Sequence, residues 1–316
     1  MALYLLQRLL LLIATLIFAS LVVFSVLEIL PGNAAQVMLG SSATPESVAA
    51  LSHKLGLDQS FITRYFTWLG GIARGDFGLS YAYNSSIGAL IADRLAVSAP
   101  LALLAMALTS LIALVAGVFA AQRRGKRSDF AIMTASQVGL ALPNFWFAII
   151  LVLIFAVRLR LAPSGGFPGW SAGLGPALGA LILPAVALGL VQAAILTRVT
   201  RSALLEVLNE DFIRTARAKG LSRSAVLWRH ALPNALTPIL TIMGLQFANL
   251  IAGAIVVENV FTLPGIGRLI FQSIANRDVL VVEDCVMLLA AIVIIVNFIV
   301  DVACAAIDPR LRNRAA

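Results

Sequence analysis

Few residues of this chain combine the type and spacing that catalysis or metal binding needs. The only histidines are His53 and His230, and the two cysteines, Cys285 and Cys304, lie in one apolar run. If that run is helical, nineteen residues separate the thiols by about 28 Å, which excludes a disulfide between them. The sequence also lacks GxxxxGK followed by Ser or Thr, HExxH and GxSxG, the motifs of nucleotide, zinc-protease and serine-hydrolase sites. We therefore predict no catalytic residue, no metal site and no cofactor bound by the chain itself.

The residues best suited to contact a partner lie in a basic segment, Asn209–Pro233, between two long apolar runs. Asn209 is a candidate helix N-cap, and Glu210 and Asp211 place negative charge in the first turn. Arg217 and Lys219 place positive charge in the last turn, and Gly220 suits a left-handed C-terminal cap. These signals predict a helix of about two to three turns.

A second short helix is predicted after Gly220. Ser222 can cap its N-terminus, and Pro233 is expected to end it. The segment would then be a helix, a sharp turn and a second helix, on which a soluble partner could push. On these local signals alone, an amphipathic segment that rests on lipid head groups is an open alternative.

The composition excludes a soluble domain. Of the 316 residues, 60% are hydrophobic and 12% are charged, and the mean hydropathy is +0.97. These values are typical of an all-α polytopic membrane protein. The net charge of +8 would suggest nucleic acid in a soluble chain. Here the basic residues lie between apolar runs, so positive-inside sorting explains them without a nucleic-acid partner.

Six apolar stretches reach the length of about 20 residues that a bilayer span requires. They are Leu9–Leu30, Val97–Ala121, Phe130–Val157, Leu178–Leu196, Ala235–Val257 and Val286–Ile307. The first lacks a small-residue cleavage site, so we expect a retained helix rather than a signal peptide.

The distribution of lysine and arginine predicts the orientation of these spans. Placing both termini in the cytosol assigns fifteen of the 23 basic residues to the inside. The contrast is sharpest in the short loops, where 122–129 (QRRGKRSD) lies inside and 163–176 (PSGGFPGWSAGLGP) lies outside. The prediction is an N-in, C-in topology with six transmembrane helices.

We divide the chain into residues 1–96, a first span with an external loop; 97–308, a five-helix core with a cytosolic loop at 199–234; and 309–316, a cytosolic tail. The external loop is rich in aromatic residues, and its apolar residues recur at helical spacing. We expect an amphipathic, partly folded cap on the outer membrane surface. A dedicated substrate site in this loop is a further alternative.

Prolines mark three of the predicted spans. Pro143 should kink or break the third, and Pro184 and Pro238 are expected to act likewise in the fourth and fifth.

Polar residues inside the spans are the candidates for lining a path. Such groups face protein or water, because exposing them to lipid costs several kcal/mol. Gln246 and Asn249, three residues apart on one helix face, form the best pair. Interhelical hydrogen bonds are the alternative role for every candidate. The candidates are Asn144, Gln192, Gln246, Asn249 and Asn297.

The spacing within the cytosolic segment resembles the EAA motif of the permease subunits of bacterial ABC importers. That motif is Glu-Ala-Ala, three residues, Gly, nine residues, then Ile, any residue, Leu and Pro. Residues 214–216 (Arg-Thr-Ala), Gly220 and residues 230–233 (His-Ala-Leu-Pro) occupy these places at the same spacing. Arg214 replaces the glutamate and His230 replaces the isoleucine, so contacts specific to that glutamate do not carry over.

The resemblance extends over nearly the whole chain to the DppB/OppB branch, the dipeptide, oligopeptide and nickel permeases. The matching motifs, in order, are LLQRLLLLIATL at 5–16, LPG at 30–32, LGLDQ at 55–59, RGDFGLSY at 74–81, LPNFW at 142–146, VVENVFTLPGIGRL at 256–269 and AxDPR at 306–310. Two departures are external: residues 33–34 (Asn-Ala) and 279–280 (Val-Leu) stand where the branch usually has Asp-Pro and Tyr-Pro.

The resemblance implies a type I ABC importer permease fold and a set of partners in the bacterial cytoplasmic membrane. These are a second homologous permease, two cytosolic ATPase subunits that use Mg-ATP, and an external solute-binding protein. The cytosolic segment becomes the coupling helix that docks in a groove of an ATPase, while the part after Ser222 packs back against the permease. The implied coupling residues are Asp211, Arg214, Thr215, Ala216, Arg217, Ala218, Lys219, Gly220 and Leu221.

Short peptides are the substrates that the resemblance implies, through a path of which this chain forms half. Nickel chelates, glutathione, opines and other small solutes are the alternatives carried by related permeases. An ATP-independent channel or secondary carrier is a different class, which the scarcity of intramembrane charge disfavours.

Overall fold

Long apolar runs form helices in this chain because a helix satisfies its backbone N–H and C=O groups internally, as a membrane span requires. The computed structural model describes residues 2–29, 35, 39, 43–54 and 56–307. The sequence features at 30–34 and the tail at 309–316 lie outside these residues. Helices α1 to α12 are, in chain order, Ala2–Ile29, Pro45–Lys54, Phe61–Arg74, Ile87–Gln122, Arg127–Ala141, Asn144–Leu151, Leu174–Val207, Asp211–Ala218, Arg223–Val226, Leu232–Val260, Ile266–Ala275 and Val279–Ile307. Wider π-helical turns follow α6 at Val152–Arg158 and α9 at Leu227–Ala231.

Six spans fit the helices of the described residues. Five continuous helical runs are long and apolar enough to cross a bilayer, namely α1, α4, α7, the run Arg223–Val260 and α12. The sixth is the bent pair of α5 and α6, counted as one span. The prediction of six helices is confirmed on this count, and several helices extend well beyond the apolar stretches read from the sequence.

The third span breaks at Pro143, as predicted. Helix α5 ends at Ala141 and α6 begins at Asn144, with a bend of 102° between them. Proline lacks the backbone donor and its ring clashes with the preceding turn, so the helix cannot continue straight. Pro184 and Pro238 instead lie inside α7 and α10, which run through both positions without a break.

The chain forms two compact units by its internal contacts. Within the described residues, the first takes 2–9, 99–263 and 295–307, and the second takes 10–29, 35, 39, 43–54, 56–98 and 264–294.

Helix α7 is the centre of the first unit and packs against α5, α6 and α10. Small residues also let α4 and α7 approach each other closely. A Cβ atom at Gly117 would lie 2.6 Å from Thr200 Cβ, and one at Gly189 would lie 2.8 Å from the Ala105 carbonyl oxygen. Such contacts replace the hydrophobic driving force that lipid does not supply between helices.

The first unit also joins the two ends of the chain. Arg8 near the start of α1 pairs with Asp301 near the end of α12, at 2.9 Å between Arg8 Nη1 and Asp301 Oδ2. Tyr4 Oη donates to the backbone carbonyl of Asp301. These contacts agree with an even number of spans and termini on one side of the membrane.

The second unit contains the external helix α3, whose aromatic residues pack within the chain. The rings of Phe61, Tyr65 and Trp68 surround Phe24 of α1 at centroid distances of 5.2 to 5.6 Å. Tyr65 is hydrogen-bonded to Ser20 through their hydroxyls at 2.8 Å. The opposite face of α3, with Ile62 and Phe66, is exposed. The aromatic residues therefore fasten α3 to α1, and only part of the set faces outward.

Candidate functional site

The cytosolic segment forms α8, a helix of about two turns whose N-cap is Glu210 rather than the predicted Asn209. The backbone explains the shift of one residue. Asn209 N donates to the Glu206 carbonyl at 3.1 Å, so Asn209 still belongs to the turn that closes α7. Glu210 then takes the extended conformation of a cap, and Asp211 supplies the negative charge of the first turn.

The turn after α8 follows the prediction. Gly220 has φ of +84°, and its N–H donates to the Arg217 carbonyl at 2.9 Å. Ser222 caps α9, because its hydroxyl accepts from Ala225 N at 3.2 Å. Gly220 acts through its backbone conformation and Ser222 through a hydroxyl that bonds three residues on, so both effects are local and could be predicted from the sequence.

The predicted end of the second helix at Pro233 is wrong. Helix α9 continues through the π-helical turn Leu227–Ala231 directly into α10, where Pro233 is in the first turn. A proline early in a helix removes a donor that has little to bond, and the preceding wide turn accommodates its ring. Asn234 Nδ2 donates to the His230 carbonyl at 2.7 Å and satisfies one backbone acceptor at this junction. The segment after Ser222 is thus the first part of the fifth span.

Helix α8 has a buried and an exposed face. Ile213 and Ala216 pack into an apolar cluster with Leu196 and Leu204 of α7 and with Val226 of α9. Ala216, which the motif placed among the docking residues, therefore points toward the permease. The other predicted coupling residues are exposed: Asp211, Arg214, Thr215, Arg217, Ala218, Lys219, Gly220 and Leu221.

The exposed face of this segment is basic and partly apolar. Arg214 pairs with Asp211 at 3.2 Å, but both side chains are largely in solvent, so the pair contributes little to stability. Phe212 and Leu221 add exposed apolar surface beside the charges. Exposed apolar residues within a charged rim are typical of a protein interface.

The polar residues predicted inside the spans do not meet in one place. Gln246 and Asn249 are hydrogen-bonded to each other along α10, at 3.3 Å from Asn249 Nδ2 to Gln246 Oε1. Gln192 is buried within α7. Each of these three residues lies on a helix that packs inside the first unit.

Two of the polar residues occupy space that glycines of α10 provide. Asn144 Nδ2 lies 2.8 Å from the position of a Cβ atom at Gly253, and Asn297 Oδ1 lies 2.9 Å from that position at Gly244. This geometry favours helix packing as the role of both asparagines.

An ion pair that the sequence did not reveal fastens the turn between α4 and α5. Arg201 donates to Asp129 through Nε at 2.6 Å and Nη2 at 2.8 Å, and Gly125 N donates to the same carboxylate at 2.9 Å. The only sequence signal is an acid in the first turn of α5. Its partner lies 72 residues away, beyond the reach of any local pattern.

A second missed feature is a set of buried carboxylates in the second unit. In the sequence, Glu283 and Asp284 are adjacent acids near the start of an apolar run, where a helix dipole would account for them. Helix α12 in fact begins at Val279, and both residues are buried in its second turn, where Trp68 Nε1 donates to Asp284 Oδ1 at 2.9 Å.

Asp278, the residue just before α12, holds the external segment that follows Gly78. Its Oδ2 accepts from Ser80 Oγ and from Ala82 N. Burial, and then the neighbouring Asp278 carboxylate, raise the pKa of the Tyr81 phenol above its ordinary value, so Tyr81 stays neutral.

A polytopic helical chain with an exposed basic helix between its fourth and fifth spans is typical of a membrane transport subunit. Residues 113–313 match the family described as binding-protein-dependent transport system inner membrane component, and residues 1–102 match the N-terminal family of the same membrane components. The chain belongs to this family. It is a multi-pass permease of the inner membrane, and ATP hydrolysis lies in separate subunits.

Two curated relatives and one solved structure illustrate the membership. The chain is 37% identical to the di/tripeptide transport system permease protein DppB of Pseudomonas aeruginosa, over 98% of each chain. It is 38% identical to a probable peptide ABC transporter permease of Sinorhizobium fredii, over 99% of this chain and 100% of the relative. A solved chain of the MetNI methionine ABC transporter, in an inward-facing conformation, has a TM-score of 0.58 at 18% identity and covers 69% of this chain and 96% of its own length. The last similarity shows the type I permease fold alone.

Proposed function

We propose that the chain forms half of a translocation path for short peptides across the cytoplasmic membrane. The support is the identity of 37 to 38% over nearly full length with two permeases whose names specify peptides. A second, homologous permease supplies the other half of the path, and an external solute-binding protein delivers the substrate.

The coupling of this path to ATP is proposed to pass through α8. Its exposed face, from Asp211 to Leu221, docks in a groove of a cytosolic ATPase subunit that uses Mg-ATP. The single observation that carries this assignment is the buried face, because Ile213 and Ala216 pack directly on α7 and α9. Since α9 continues into α10, a displacement of α8 acts on the cytosolic ends of two spans at once.

Asn249 is the residue that we retain as a path-lining group. Among the five candidates it alone is exposed, and no glycine contact accounts for it as one does for Asn144 and for Asn297. Gln192 and Gln246, both buried, would support the path from behind rather than contact the substrate.

The test is ATP-driven uptake of radiolabelled trialanine by the full complex in proteoliposomes, with the binding protein added outside. Reversing charge at Arg217 and Lys219 (Arg217→Glu with Lys219→Glu) should abolish uptake and uncouple ATP hydrolysis from the binding protein. The control is Lys126→Glu with Arg127→Glu, two exposed basic residues of the α4–α5 turn. Wild-type uptake by the α8 variant contradicts the coupling assignment, and uptake without ATP favours a carrier.

A further inference from the structure

A cleft of about 610 Å³ opens in the first unit among α5, α7 and α10. Its walls are mostly apolar, with Leu140, Ile195 and Ile242 among the lining residues. Two charged side chains line the same cleft, Arg198 and Glu206. A concave, mainly apolar space of this size with a few polar groups has the character of a small-molecule site.

The cleft lies at the end of α7 that the charge distribution places in the cytosol. Helix α7 has 34 residues and is therefore about 51 Å long, whereas a hydrocarbon core is about 30 Å thick. Its last turns, which carry Arg198 to Glu206 and lead into α8, extend past the apolar stretch read from the sequence. The charged groups are thus open to water on the side where an imported substrate leaves.

The two charges occupy one stripe of α7 and have no salt-bridge partner within the described residues. Arg198 donates from Nη1 to Gln137 Oε1 of α5 at 3.0 Å, a neutral contact that orients the guanidinium and leaves its charge uncompensated. Ser202 lies between Arg198 and Glu206 at a spacing of four residues in each direction, and it also lines the cleft. A cation, a hydroxyl and an anion therefore follow one another along the stripe.

We propose that this cleft binds a short zwitterionic peptide on the cytosolic side, with its carboxylate at Arg198 and its ammonium group at Glu206. The spacing matches, because eight helical residues span about 12 Å and an extended tripeptide spans about 10 Å. Ser202 then faces the peptide backbone, and the apolar walls face its side chains. The inference rests on the proposed peptide function and adds an inward-facing site that holds the substrate after translocation.

Equilibrium binding to the full nucleotide-free complex in nanodiscs, without the binding protein, tests this site. The probes are radiolabelled N-acetyl-trialanine, which retains only the carboxylate, and trialanine amide, which retains only the ammonium group. Arg198→Gln should weaken binding of N-acetyl-trialanine roughly tenfold and leave that of trialanine amide unchanged. Glu206→Gln should weaken binding of trialanine amide roughly tenfold and leave that of N-acetyl-trialanine unchanged. A structural defect would weaken both probes together, so the crossed pattern is specific to the assignment.

The outcomes separate this site from the general function. The cleft assignment is overturned if the wild-type complex imports trialanine with ATP and the binding protein while the two variants show no crossed pattern. It is also overturned if the wild-type complex imports trialanine in this way but binds neither probe. Either result leaves the peptide function standing. If the coupled complex imports no peptide, the peptide function fails and the cleft assignment fails with it. The control variant Arg127→Gln removes an exposed charge outside the cleft and should change neither affinity.

Discussion

At the scale of single residues, Gly220 sets the angle between the docking helix and the fifth span. Its φ of +84° costs an L-residue about 1 to 2 kcal/mol, although a Cβ atom there would meet no atom within 4 Å. We expect Gly220→Asn to retain most ATP-driven uptake, Gly220→Ala to lose part of it, and Gly220→Pro to abolish it. Proline cannot adopt this φ and also removes the bond from Gly220 N to Arg217.

A matched control exists in the neighbouring cytosolic turn. Gly125 has φ of +77° and equally open surroundings. Gly125→Ala should lower the melting temperature of the complex as much as Gly220→Ala does, while uptake per folded complex stays unchanged. Equal loss of uptake in Gly125→Ala and Gly220→Ala would mean that backbone strain alone, and not the docking geometry, explains the Gly220 series.

The Asp129–Arg201 pair is a second residue-scale determinant. The Asp129 side chain is 6% exposed and that of Arg201 is 23% exposed. Asp129→Ala should destabilise the chain by about 2 to 3 kcal/mol, less than for fully buried pairs because water reaches Arg201. Thermal unfolding of the purified complex measures this. Arg214→Gln, which breaks the exposed pair with Asp211, should cost at most about 0.5 kcal/mol; a similar cost for both variants would contradict the assignment.

At the scale of elements, Ser80 ties the external segment to the start of α12. Its hydroxyl donates to Asp278 and accepts from Tyr83 N at 3.0 Å. Ser80→Ala removes a buried hydrogen bond to a charged group and should cost about 1.5 to 3 kcal/mol. In this variant, hydrogen exchange should be faster at residues 78–87 than in the wild type, while exchange in the rest of the second unit changes less. Ser86→Ala, at an exposed serine of the same turn, should leave exchange unchanged.

The elements also show which predictions a single sequence supports. The apolar spans, the break at Pro143, the Gly220 turn and the Ser222 cap depend on neighbouring residues, and all were predictable. The contacts of Trp68 with Asp284 and of Arg201 with Asp129 join residues 216 and 72 positions apart, and no periodicity encodes such pairings. The error at Pro233 has a different origin: proline restricts the backbone locally, but whether a helix stops or continues depends on the turn before it.

The roles of the candidate path residues could not be predicted from the sequence either. Asn144 and Asn297 are polar residues in apolar spans, a pattern that predicts either a pathway or a packing contact. Their proximity to Gly253 and Gly244 of α10 favours packing, and that proximity is a tertiary property. Composition therefore identified the polar residues correctly, while their roles required the helix neighbours.

At the scale of the whole molecule, the orientation of the chain decides whether α8 can meet an ATPase. The pairing of Arg8 with Asp301 brings the first and last spans together at one end of each, as expected for both termini on one side. A membrane-impermeant maleimide should label Ser171→Cys in intact spheroplasts, since that residue is exposed in the loop assigned to the outside. Gln122→Cys, exposed at the end of α4, should react only after permeabilisation.

The native thiols should contribute little background labelling. Cys285 and Cys304 are free and buried, so the unsubstituted chain should take up little reagent in either condition. If Gln122→Cys is labelled in intact spheroplasts and Ser171→Cys is protected, the chain has the opposite orientation in the membrane. Helix α8 and the Arg198–Glu206 cleft would then lie outside, where no ATPase could reach them, and both the coupling and the inward-facing peptide site would fall together.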